Sequence, residues 1–75
     1  MEYEIYGATE SADDNPQRDW TYLHTFKQPR SARKAAKKLS AFEKWHEIEL
    51  RGEDKGEIIH HSYWRNGSKH IDMSV

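Results

Sequence analysis

The chain predicts an α+β fold, a curled antiparallel sheet with one helix packed on one face. Three observations carry this reading. Only "RSARKAAKKLSAFEKW", residues 30–45, spaces its apolar residues as a helix does. The other apolar and aromatic residues fall in short alternating runs. Turn signals separate those runs, the strongest being Asn66-Gly67.

Residues 2–8, "EYEIYGA", alternate and are rich in Tyr and Ile, which predicts a first strand. The acidic, small-residue stretch "TESADDNPQR" reads as a loop with an Asn-Pro stop. "DWTYLHTF" is a second strand of aromatic and β-branched residues, on which alternation places Trp20, Tyr22 and Phe26 on one face. "KQPR" ends it, and Ser31 is the expected N-cap of a helix running to about Glu43. The helix stripe is Ala32, Ala35, Ala36, Leu39 and Phe42, and its three alanines imply close approach of the helix backbone to the sheet. "WHEIELR" is a third strand with His46, Ile48 and Leu50 on one face, and "GEDKG" is a Gly-bounded turn. "EIIHHSYWR" and "SKHIDMSV" are the fourth and fifth strands. The expected order is β-β-α-β-β-β in a single domain, 1–75.

A two-residue turn at Asn66-Gly67 sets a register: Arg65 with Ser68, Trp64 with Lys69, Tyr63 with His70, Ser62 with Ile71, His61 with Asp72. Alternation then assigns Ile58, Trp64, Ile71 and Met73 to the core. It assigns His61, Tyr63, Arg65, His70 and Asp72 to solvent, with His60 half-buried on the other side.

Composition excludes several function classes. Three Trp, four Tyr and two Phe argue against disorder. Without Cys there is no disulfide framework and no thiolate metal site, which fits a reducing cytoplasm. No apolar run approaches the length of a membrane span, and "MEYEIYGATE" carries no signal-peptide pattern, so a cytoplasmic protein is expected. Net charge is −1 and the pI near 6.5, so no global basic field exists. The charge is uneven, however. Residues 1–19 carry Glu2, Glu4, Glu10, Asp13, Asp14 and Asp19 against Arg18 alone. Residues 27–44 carry seven cations against Glu43 alone.

The helix cations break local rules. Arg30, Arg33 and Lys34 crowd the end where the macrodipole prefers carboxylates. Arg30/Lys34, Arg33/Lys37 and Lys34/Lys38 are like-charge pairs at i,i+4. A solvated face made of good helix formers is the plain explanation. Uncompensated violations are also where function tends to sit, so Arg30, Arg33, Lys34, Lys37 and Lys38 are the first candidate site, for a phosphate or a protein partner. Tyr63, Arg65 and His70 form a second candidate contact patch, because Tyr and Arg are enriched at binding hot spots. His61 opposite Asp72, beside His70, resembles a metal arrangement, but the spacing matches no ligand signature and cross-strand polar pairs are ordinary on sheets. No metal and no cofactor are expected. Trp20, Tyr22 and Phe26 suggest a base-stacking platform, with core beneath the helix the favoured alternative. No nucleophile motif, Gly-rich phosphate loop or paired carboxylates appear, so a stoichiometric binder is expected rather than an enzyme.

The helix "SARKAAKKLS", the Trp-bearing strand, Gly turn and last strand of "SYWRNGSKHID", and the element order resemble a family of small phage-encoded anti-CRISPR proteins that inhibit type I-F surveillance complexes. The resemblance spans most of residues 18–73. It implies a curled five-stranded sheet around one helix. It also implies a non-enzymatic inhibitor that binds a host nucleoprotein complex (a CRISPR effector), competes with target DNA, and allows weak DNA contact. The alternatives are a small nucleic-acid-binding module using the same helix, and a structural protein that pairs its edge strand with a copy of itself.

Overall fold

The computed structural model describes residues 1–74. Five strands and one helix follow in the order β1 (Glu2–Ala8), β2 (Thr21–Phe26), α1 (Pro29–Ser40), β3 (Glu47–Asp54), β4 (Glu57–Arg65) and β5 (Ser68–Ser74). Val75, the last residue of the expected fifth strand, lies outside the described residues. The α+β expectation holds: one curled, wholly antiparallel sheet in the order β2-β1-β3-β4-β5, with α1 on one face.

β1 pairs antiparallel with both β2 and β3, so β2 and β3 run the same way with β1 between them. Such strands need a long crossover, and α1 supplies it. The face beneath α1 is built by alternation. Ile5 sits opposite Leu50, Gly7 opposite Ile48, and Trp64 opposite Ile48 on the far side. Ile5, Ile48, Leu50 and Trp64 close a core with Ala32 and Ala36 of the helix. The alanine stripe lets the helix backbone descend onto the sheet, as expected. Trp64 Nε1–H donates to Ser62 Oγ at 3.0 Å, which satisfies both buried polar groups.

Several expectations fail, and three β-bulges account for most of the failures. In β5, Trp64 faces Lys69 as expected, but Tyr63 then faces Ile71, Ser62 faces Asp72 and His61 faces Met73, which leaves His70 as the extra residue. Ile71 and Met73 therefore leave the core face and are 41% and 50% exposed. The β3–β4 pairing jumps from Gly52–His60 to Glu53–Ile58, so Ile59 is extra and Ile58 is also exposed. In β2, Ile5 faces His24 and Tyr6 faces Tyr22, so Leu23 is extra and Tyr22 is separated from Phe26. His60 is half-buried on the helix side, as expected.

The helix begins and ends earlier than expected. Gln28 is the N-cap, in extended conformation and without a side-chain cap bond, and Pro29 fills the first turn. Proline's fixed φ suits that position, so the chain turns helical before Ser31. At the other end Ser40 Oγ–H donates to the Lys37 carbonyl at 2.9 Å and accepts the Gly67 N–H at 3.0 Å. Phe42 thus falls beyond the helix and is 60% exposed instead of core. His46 is exposed and precedes β3. The "GEDKG" turn is shorter than expected: β3 continues to Asp54, and Lys55 and Gly56, at φ 52° and 84°, make a two-residue hairpin like Asn66-Gly67 at 50° and 80°.

Among the described residues no helix is long and apolar enough to cross a membrane.

Candidate functional site

Two surfaces carry the candidate residues, one on each side of the sheet. On α1 the buried stripe of Ala32 and Ala36 fixes the rotation of the helix about its axis. At 100° per residue, Arg33, Lys37, Arg30, Lys34 and Lys38 then fill an arc of roughly 140° on the outer side, over a rise of about 12 Å. All five are exposed. Among the described residues none of the five makes an ion pair. The first turn of α1 contains no acid, so its N-terminal partial positive charge adds to theirs. The structure therefore brings the whole first candidate set onto one surface and leaves its charge uncompensated.

The opposite face of the sheet holds acids that are already matched. Glu47 and Glu49 are 3% and 2% exposed, although their face has no helix over it. They are buried by a layer of arginines and rings. Arg18 and Arg65 both bond Glu47, the latter through Nε at 3.1 Å. Arg51 Nε donates to Glu49 at 2.9 Å, and His61 takes its other oxygen. Trp20, Tyr63 and His61 form a row with ring centres 6.0 and 4.8 Å apart. Arg18 lies 4.5 Å over Trp20, Arg51 lies 4.4 Å over Tyr6, and Tyr6 meets Tyr22 edge-on at 5.8 Å. Burial, and then the neighbouring Glu49 carboxylate, push the Tyr63 phenol above its ordinary 10.0. Burial and then Glu4 do the same to Tyr6. Burial opposes the charge of Arg51, but its bond to Glu49 outweighs this and raises it.

The second candidate patch divides. Tyr63 and Arg65 share this face, but the bulge takes His70 out of register with Tyr63 and leaves it exposed. The same bulge removes the proposed His61–Asp72 pairing. Asp72 lies toward the helix side, with Lys69 Nζ at 3.1 Å and His60 Nδ1 at 4.0 Å. Among the described residues no three His, Cys, Asp or Glu side chains are grouped to hold a metal. The aromatic platform expected of Trp20, Tyr22 and Phe26 is not formed as such, since Phe26 packs against the core under α1 and Trp20 and Tyr22 stand on the far face.

Sequence reasoning missed Glu47, Glu49, Arg18 and Arg51. Their signal was present: alternation that puts Ile48 and Leu50 inward in "HEIELR" puts Glu47, Glu49 and Arg51 together outward. Arg18 comes from the loop before β2, and no local pattern ties it to residue 47.

No family model, no curated protein and no solved structure matches this chain.

Proposed function

We propose that this protein is a non-enzymatic binder that presents the basic side of α1 to an anionic surface of a host protein or nucleoprotein complex. In its specific form the reading is an anti-CRISPR-like one, with the protein blocking a CRISPR effector in competition with target DNA. One observation carries the anionic partner: the two buried acids of the sheet, Glu47 and Glu49, are held by Arg18, Arg65, Arg51 and His61, while among the described residues Arg30, Arg33, Lys34, Lys37 and Lys38 face outward without an ion pair. A fold needs no such row, because each like-charge i,i+4 pair costs about 0.2–0.5 kcal/mol. The phage setting and the effector come from the resemblance in sequence pattern.

A direct nucleic-acid module is the second reading, favoured by the length of the cationic row, which matches a few phosphate spacings. Fluorescence anisotropy with duplex DNA over a salt series separates the two, using wild type and Lys34→Glu/Lys38→Glu. The inhibitor reading expects weak binding with a shallow slope. A log–log slope of several units, reduced by about 0.9 per lost phosphate contact in the variant, overturns it in favour of the nucleic-acid module.

A further inference from the structure

β5 forms one edge of the sheet. It pairs with β4 alone, so among the described residues its outer row of backbone N–H and C=O groups faces no other strand. The bulge at His70 decides which side chains share a face. Lys69 stands opposite Trp64 and Asp72 opposite Ser62, both buried on the helix side, so Lys69 and Asp72 lie on that side too. There Lys69 Nζ bonds Asp72 Oδ2 at 3.1 Å, with both side chains 41% exposed. Ser68, Ile71 and Met73 stand opposite Arg65, Tyr63 and His61, on the far face, and Ile71 and Met73 are half exposed there. In a regular strand two residues three apart point to opposite faces. The one extra residue is what brings these opposite charges to the same face.

We propose that β5 pairs antiparallel with β5 of a second copy of this chain, giving a two-fold dimer with one continuous sheet. The strand is self-complementary in one register. Setting His70 of one copy against Ile71 of the other pairs Lys69 with Asp72 on the helix side and Ser68 with Met73 on the far side. Like face then meets like face at both positions, and each cation lies opposite an acid. The two Ile71 side chains flank the axis on the far face. Both strands are bulged at the axis, so the ladder keeps count across it. Neighbouring registers are worse. Centring the pair on Ile71 sets Lys69 against Met73, which point to opposite faces. Centring it on Asp72 sets two carboxylates against each other. The other edge, β2, is a poorer partner for β5: "TYLHTF" holds no Asp, Glu, Lys or Arg to meet Lys69 and Asp72. A β5-to-β2 contact would also leave a free edge at each end and grow without closing. Antiparallel neighbours in one sheet are related by an axis normal to it, so the dimer carries both α1 helices on the same side. The proposal goes beyond the function proposed above and does not rest on it.

Sedimentation velocity of the full chain, from micromolar to millimolar concentration, is the test. It compares wild type, Lys69→Asp, Asp72→Lys and an equal mixture of the two variants, with circular dichroism to check that each is folded. Wild type should pass from monomer to dimer. Each variant alone sets like charges opposite each other, so its dimer should be at least tenfold weaker. The mixture should recover the dimer, because one chain then offers two acids and the other two cations. Misfolded variants could not give that recovery. A wild type that stays monomeric throughout overturns the proposal and leaves the edge to a foreign strand. A dimer indifferent to both substitutions overturns it, as does a mixture that recovers nothing. Wild-type assemblies that grow past the dimer also overturn it, in favour of the β5-to-β2 contact.

Discussion

Arg65 bonds Glu47 across the sheet, with Nε 3.1 Å from Oε2, and Arg18 occupies the other oxygen of the same carboxylate. The two arginines differ in burial: Arg18 is 10% exposed at its side chain and Arg65 36%. Removing one member of a buried pair strands the other without water, whereas an exposed pair contributes little. Glu47→Ala should therefore cost about 3 kcal/mol, Arg18→Ala a comparable amount, and Arg65→Ala only about 0.2–1 kcal/mol. Urea unfolding of the three variants measures this, and a larger loss for Arg65→Ala than for Arg18→Ala would refute the burial argument.

Gly7 is required by Trp45. A Cβ at position 7 would lie 2.5–2.8 Å from three carbons of the indole, well inside contact distance. Gly7→Ala should push the ring out and cost about 1–3 kcal/mol, as overpacking does. A red shift of tryptophan emission should accompany the loss. An unchanged spectrum and unchanged stability would contradict the contact.

Ser40 joins the end of α1 to the β4–β5 turn through the Gly67 N–H. Ser40→Ala leaves that N–H without its partner, at a cost of about 1–2 kcal/mol. Faster amide exchange at Gly67 than in wild type is the specific readout, since a general loss of stability would not single out that residue.

Tyr6 and Tyr63 hold their protons above pH 10.0 in the folded state. In the unfolded chain each ionises near 10.0, so above that pH the native state binds more protons than the unfolded state and stability falls as pH rises. Below pH 10.0 the stabilisation is fully present. Phenolate absorbance should show a late component that shrinks in Tyr63→Phe and in Tyr6→Phe.

The parts of the fold written in local chemistry were legible. Asn66-Gly67 gave its hairpin, the alanine stripe gave the seated helix, and alternation placed Ile48 and Leu50 on one face. What failed depended on single extra residues. Leu23, Ile59 and His70 look like ordinary strand residues, yet each is the additional member of a bulge that turns the following side chains to the other face. Periodicity cannot announce such an insertion, because the choice between a regular strand and a bulge depends on what the neighbouring strand presents. The basic helix face was legible because helix rotation follows from Ala32 and Ala36. The Glu47 and Glu49 clusters were only half so, since Arg18 reaches Glu47 across 29 positions.

The cations of α1 are proposed to serve a partner and not the fold. The most direct test compares wild type with Arg30→Glu/Arg33→Glu for the ability to stop a type I-F surveillance complex from loading labelled target DNA. The substitution puts acids near the N-terminus of α1 and turns two like-charge pairs into opposite ones, so the urea midpoint should hold or rise, by about 0.3–1 kcal/mol in stability. Wild type should block loading, and the variant, though as stable, should block at least tenfold less well. A wild type that leaves loading unaffected, or a variant that blocks equally well, would contradict that proposal.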